Sequence, residues 1–268
     1  MEIELDTAKT ASQNAGDLFN RAKKLEDKAK KAESALKTIE ERISRLKKTG
    51  RLEAAERKGL KEKKPAGQWY EKFRWFFSSS GKLIVGGRDA TTNDILMKKH
   101  VAKNEPVFHA DIVGAPFFAI KRAPGRGAGG AGEEIGESDI REAAQAAAVF
   151  SRAWKLGYGS LSVYYAPRER FTKQAPSGEY VKKGAFMVYG KKDWIAVELK
   201  AAVGVKNGKV TAGPISAIEK WAERSLRIEP GHLKQGEATK LIAKKLKAPA
   251  DEVQRALPAG RTQLIKTK

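Results

Sequence analysis

From Ala11 the small and apolar positions run Ala11, Ala15, Leu18, Ala22, Leu25, Ala29, Ala32, Leu36, Ile39, Ile43 and Leu46, in steps of four and three without a miss. A seam of this period lies along one side of an α-helix and supercoils against a second helix, so residues 11–48 should form a rod about 55 Å long. Alanine at many seam positions lets a partner helix approach closely. Thr49-Gly50 supplies a stop and a turn, and a return helix begins at Arg51 with Leu52, Ala55 and Leu60 on one face. The expectation is an antiparallel helical coiled-coil arm over residues 1–68, interrupted at Lys64-Pro65-Ala66-Gly67 where it rejoins the rest of the chain.

The 268 residues include 53 Lys plus Arg against 32 Asp plus Glu, a net charge of +21. Residues 1–64 hold 18 of the basic and 12 of the acidic side chains, net +6, which leaves +15 for the remainder. Such an excess asks for a polyanion, with nucleic acid the default and an anionic membrane surface the competitor. No apolar run approaches the ~18 residues that cross a bilayer, and Met1-Glu2-Ile3-Glu4 is unlike a signal peptide; a cytoplasmic protein with no membrane partner is expected. Zero cysteines exclude a disulfide framework, a thiolate metal site and a cysteine nucleophile. The three histidines, His100, His109 and His232, show no metal spacing, and neither a metal nor a cofactor is expected.

Beyond the arm the pattern changes to short strands and helices, an α/β (α+β) body built on a mixed sheet. The aromatic cluster Trp69, Tyr70, Phe73, Trp75, Phe76 and Phe77 reads as core, as does Trp154. Strands are expected near 82–85, 107–112, 117–121, 161–165, 185–189 and 194–203, with helices over 92–101 and from Ser138 along the stripe Ala143, Ala147, Phe150, Trp154. The run Pro124–Gly132 reads as a loop, Asn207-Gly208 as a hairpin turn, and Gly213-Pro214 as the start of a helix to about Ser225. A last strand at 226–228 would close the body at 69–228, leaving 229–268 as a basic extension of two short helices, 233–247 and 250–257.

Three segments of the body carry chemistry. In Gly86-Gly87-Arg88-Asp89-Ala90-Thr91-Thr92-Asn93, two glycines end a strand just before a helix. That geometry suits a phosphate held by backbone N–H groups and Arg88, or an ordinary turn in which Arg88 and Asp89 satisfy each other. His109 and Asp111, two residues apart on a strand, share a face and could form a structural hydrogen bond, contact RNA or act as acid and base. Between Thr172 and Lys192, Lys173, Lys182, Lys183, Lys191 and Lys192 interleave with Tyr180, Phe186 and Tyr189 around Pro176-Ser177-Gly178. Basic heads that track a backbone beside rings that stack bases are the usual combination for RNA; a hairpin with a solvated cationic edge is the plainer reading. Asn93, Lys98, Lys121 and Ser177 complete the candidate RNA contacts. No residue is assigned a catalytic role, and Ser78-Ser79-Ser80 lack the setting of a serine nucleophile.

The segments WYEKFRWFFSSSGKLIVGGRDATTN (69–93), VFHADIVGA (107–115) and TKQAPSGEYVKKGAFMVYGKKDW (172–194) resemble, in order and spacing, the RNA-binding module of the NFACT family, which includes NEMF, RqcH and archaeal homologues long labelled fibronectin-binding-like. Residues 1–64 resemble that family's middle coiled coil. Val113 stands where the related pattern usually has a second histidine, and the family's amino-terminal domain does not precede the coiled coil in this sequence. The resemblance implies a non-enzymatic ribosome-associated quality control role in the rescue of stalled nascent chains. The implied partners are large-subunit rRNA or tRNA, ribosomal proteins through the arm, and a separately encoded NFACT amino-terminal protein. An RNA-processing enzyme using His109 and Asp111, and an adhesion or scaffold protein, are the competing readings.

Overall fold

The computed structural model describes residues 10–48, 68–122, 134–174 and 181–265. The expected return helix from Arg51, Pro65-Ala66-Gly67, the loop 124–132, Ser177 and Tyr180 lie outside the described residues. The chain divides into two compact units, Met1–Ala66 and Gly67–Lys268. In the first, helix α1 spans Ala11–Lys48. It starts where it does because Thr10 and Gln13 cap one another: Gln13 N donates to Thr10 Oγ1 at 3.3 Å and Thr10 N to Gln13 Oε1 at 2.9 Å. The seam residues Leu18, Leu25, Leu36 and Ile39 are exposed on it. Among the described residues no helix is long and apolar enough to cross a membrane.

The second unit is α+β, and every strand pair described in it is antiparallel. Six strands, β1 (Arg74–Phe77), β2 (Leu83–Gly86), β3 (Pro106–Ala110), β4 (Phe118–Ile120), β5 (Ser160–Pro167) and β8 (Asp193–Glu198), form one sheet in the order β1-β2-β4-β3-β5-β8. A short hairpin, β6 (Phe171–Thr172) with β7 (Met187–Val188), stands beside it. The second sheet runs β10-β9-β11-β12, from β9 (Ala201–Lys206), β10 (Lys209–Gly213), β11 (Arg224–Leu233) and β12 (Thr262–Leu264). Asn207 (φ 48°) and Gly208 (φ 72°) make the β9–β10 turn read from the sequence.

Alternation divides the large sheet cleanly. Phe108, Ala110, Val163 and Val197 point into the main core, which α3 (Glu137–Val149) covers with Ala143, Ala146 and Ala147. Val107, Ala119, Ala166 and the partly buried Tyr164 point the other way, where Met97, Phe117, Phe171 and Phe186 pack. Helix α3 is held to the β1–β2 turn: Glu142 Oε2 accepts from Ser79 N at 2.8 Å and Asp139 Oδ1 from Ser80 Oγ at 2.5 Å. The expected single helix through Trp154 breaks at Ser151, which caps α4 (Arg152–Leu156).

Several expectations differ from the structure. The aromatic cluster contains strand β1, and Trp69 is 38% exposed, stacked on His100 at 4.5 Å, whereas Trp75 and Trp154 are core. The single strand 194–203 is two strands in two sheets, because Leu199-Lys200 carries the chain from one to the other. The helix opened by Pro214, α5 (Ile215–Trp221), ends before Ser225, so that β11 runs a full ten residues from Arg224. The boundary expected at 228/229 therefore falls inside a strand. Ala238, Ile242 and Leu246 of α6 (Gln235–Leu246) and Val253 and Ala256 of α7 (Ala250–Ala256) fill the same core as the sheet. Removing that apolar area from water joins residues 229–268 to the body.

Candidate nucleic-acid interface

Gly87 follows β2, with its N–H donated to Phe117 O at 3.0 Å. A Cβ on Gly87 would fall 1.8 Å from Asn93 Oδ1, so glycine alone lets the Asn93 side chain tuck beneath the turn. From there Asn93 joins two other segments: its Oδ1 accepts from Phe117 N at 3.3 Å and its Nδ2 donates to Gly184 O at 3.4 Å. Gly184 (φ +80°) approaches helix α2 (Ala90–Ile95) so closely that a Cβ would sit 2.4 Å from Ala90 Cα, and its N–H donates to Asp94 Oδ1 at 3.1 Å. The three chemistry-bearing segments are thus clamped around one groove of about 490 Å³. Arg74, Arg88, Lys182 and Lys183 line it, against Asp89 as the single carboxylate among its described lining residues.

The two guanidiniums are held by main-chain carbonyls. Arg88 donates through Nη2 to Phe73 O at 2.9 Å and through Nη1 to Arg255 O at 2.7 Å. Arg74 donates to Ala256 O at 3.4 Å and lies 4.1 Å from the centre of the Phe150 ring. Arg255 and Ala256 are the last residues of α7, whose terminal carbonyls lack intrahelical donors and form the negative end of its dipole. Burial, followed by repulsion from Arg88, lowers the Arg74 pKa to about 9. Burial also lowers that of Arg88, Arg255 adding to the effect while Glu252 and Asp89 oppose it. Arg88 Nε is buried without a hydrogen-bond partner. An anion in the groove would offset both burial and mutual repulsion.

The turn does not offer its amides to a phosphate. Arg88 N and Asp89 N both donate to Thr92 Oγ1, at 2.8 and 2.9 Å, and Asp89 Oδ1 accepts from Thr92 N at 2.8 Å, closing a capping box. Arg88 and Asp89 therefore satisfy other groups rather than each other. His109 and Asp111 are not hydrogen-bonded either: Asp111 is exposed beyond the end of β3, and His109 Nδ1 is buried without a partner. Packed against Phe117 (4.5 Å) and Tyr164 (5.6 Å), His109 is driven by burial to a pKa of about 4, against the weaker pull of Ala115, Ala110 and Asp111. Val113 stands exposed on the groove rim.

The remaining candidates divide. Lys121 pairs with buried Glu105 and donates to His100 O, away from the groove lining. Lys173 pairs with Asp94 at 2.8 Å and lies over the Phe186 ring. Lys98 is exposed on the π-helical turn Leu96–His100 that continues α2. Lys191 is exposed 3.9 Å from Asp193. Lys192 sits over two rings, 5.1 Å from Tyr164 and 5.8 Å from Trp194. Sequence reasoning misses Arg74, Tyr164 and Trp194; strand alternation in 160–167 and 193–198 is the one signal that could have placed the latter two on a common face.

Residues 72–190 match the family model described as the NFACT protein RNA binding domain. The chain is 35% identical over 74% of its length to the archaeal Rqc2 homolog aRqcH of Methanocaldococcus jannaschii, covering 30% of that protein. It is 32% identical over 72% of its length to the Drosophila melanogaster ribosome quality control complex subunit NEMF homolog, covering 18% of it. With the Homo sapiens ribosome quality control complex subunit NEMF the identity is 33% over 65% of this chain and 15% of that protein. The chain thus spans under a third of the length of each of these relatives. The match covers every described residue that lines the groove, and the chain belongs to the NFACT family.

Proposed function

We propose that this chain is the RNA-contacting part of a ribosome quality control factor, working in the cytoplasm as a binding protein rather than an enzyme. Its RNA is large-subunit rRNA or tRNA, and its arm (1–68) meets ribosomal proteins. The observation that carries the reading is the groove: three segments separated in sequence converge on four cations facing one carboxylate. The names of the relatives support the ribosomal context. Enzymatic use of His109 and Asp111 is disfavoured, because a histidine near pKa 4 with no bond to the carboxylate is a poor proton acceptor at neutral pH.

Titrating the whole chain into labelled tRNA or a large-subunit rRNA fragment at several salt concentrations tests this hypothesis. Affinity should fall on a log–log plot with a slope of roughly −0.7 per phosphate contact on single strands, and Lys182→Ala with Lys183→Ala should make the slope shallower by about 1.4. A salt-independent affinity, or RNA cleavage abolished by His109→Ala, would refute it.

A further inference from the structure

One wall of the groove continues onto an open row of rings. Register places His109 opposite Tyr164 on β5, and Tyr164 opposite Trp194 on β8. All three side chains rise from the same face of the sheet, with ring centres 5.6 Å apart for His109 and Tyr164 and 5.4 Å apart for Tyr164 and Trp194. The inner end of the row is packed: His109 lies on Phe117, and Tyr164 lines the groove as a neutral phenol, raised to about 12 by burial and then by Asp111. The outer end is not. Trp194 is 52% exposed on the edge strand, although an indole of that size normally withdraws from water.

The charges around Trp194 select its ligand. Lys192 lies over both outer rings, Lys191 flanks it, and the groove cations Lys182, Lys183, Arg74 and Arg88 follow along the Tyr164 wall, against the exposed carboxylates of Asp111 and Asp193. An apolar protein partner would leave this excess unmatched. A strand of phosphates with an aromatic base on every repeat matches both features at once. Duplex RNA buries its base faces in its own stack and cannot offer one to Trp194.

We propose that the Tyr164–Trp194 row is a stacking platform for an unpaired nucleobase of single-stranded RNA, with phosphates of the same strand running past Lys192 into the groove. This rests on the RNA-binding reading and narrows it to single strands. The test is fluorescence anisotropy of the whole chain with a labelled oligouridylate of about 12 nucleotides and with a perfectly paired RNA duplex of similar length. Trp194→Ala should weaken oligouridylate binding about tenfold or more and leave duplex binding within about twofold, while Trp194→Phe keeps most of the affinity. Trp194 is an exposed edge residue, and an unchanged thermal melt of each variant verifies folding. Unchanged oligouridylate affinity in Trp194→Ala, or equal losses on both RNAs, overturns the platform and leaves the RNA-binding reading standing. Wild-type binding of duplex alone does the same, and binding of neither RNA overturns both.

Discussion

Arg88 donates to the main-chain carbonyl of Arg255, 167 positions further along the chain, at 2.7 Å. Because Arg255 lies outside the 72–190 match, the Gly-Gly-Arg turn of the matched segment is fastened to a helix beyond it. Residues 68–223 produced alone should lose Ile228, Ile242, Leu246, Val253 and Leu257 from the main core together with this latch. No cooperative thermal transition is expected for that fragment by circular dichroism. A fragment melting within a few degrees of the whole chain would disprove the dependence.

Gly87→Ala should destabilise the body by about 1–3 kcal/mol, since the new methyl competes with Asn93 Oδ1 for the same space. Urea denaturation of the whole chain measures this. Because Asn93 joins Phe117 to Gly184, the same variant should loosen the groove and weaken RNA binding even where the protein remains folded.

Lys121 and Glu105 separate stability from RNA contact. Glu105 is 2% exposed and also accepts main-chain bonds from Ala102 (2.8 Å) and Arg122 (3.0 Å). Lys121→Met should cost about 3 kcal/mol by leaving that carboxylate without its cation, and Glu105→Gln in the same chain should recover part of the loss. The salt slope of RNA binding should not move in the folded variants; a shift of the size expected for Lys182 would mean that Lys121 meets phosphate.

The His109 ring gives a pH dependence of definite sign. Folded, it stays neutral down to about pH 4; unfolded, it takes up a proton below about 6.5. Between those values the unfolded state binds more protons, so stability present above pH 6.5 is lost as pH falls, by up to about 3 kcal/mol near pH 4. His109→Phe, which keeps a ring against Phe117 and Tyr164, should flatten the stability profile in that window. The Asp89 carboxyl, held below its ordinary value chiefly by the Thr92 amide, contributes only at lower pH. Parallel profiles for the two proteins would exclude His109 as the source.

Local chemistry was legible where it decided the structure. The heptad seam yielded α1 over Ala11–Lys48, and Asn207-Gly208 announced its hairpin because both residues must adopt positive φ. Strand β1 was hidden, since Trp75 and Phe76 are buried on both faces and show no alternation. Strands β11 and β12 pair residues as far apart as Ile228 and Leu264, a distance over which periodicity carries no information. The site was half legible for the same reason. Charge marked Arg88, Lys182 and Lys183, but which lysines remain available depends on partners such as Glu105 and Asp94 that only the fold brings near. Arg74 and Trp194 carried no local mark of use.

The fastening of both groove arginines to the end of α7 also sets a timetable. The six-stranded sheet is complete at Glu198, yet the helix carbonyls that receive Arg74 and Arg88 belong to residues 256 and 255. At the ~5–20 residues per second of protein synthesis, several seconds separate the two events. Throughout that interval a growing chain has its sheet and its rim lysines, while Arg74 lacks its helix carbonyl and Arg88 has only that of Phe73. The groove arginines are therefore set only after the sheet, when α7 has been made and has folded back onto β1.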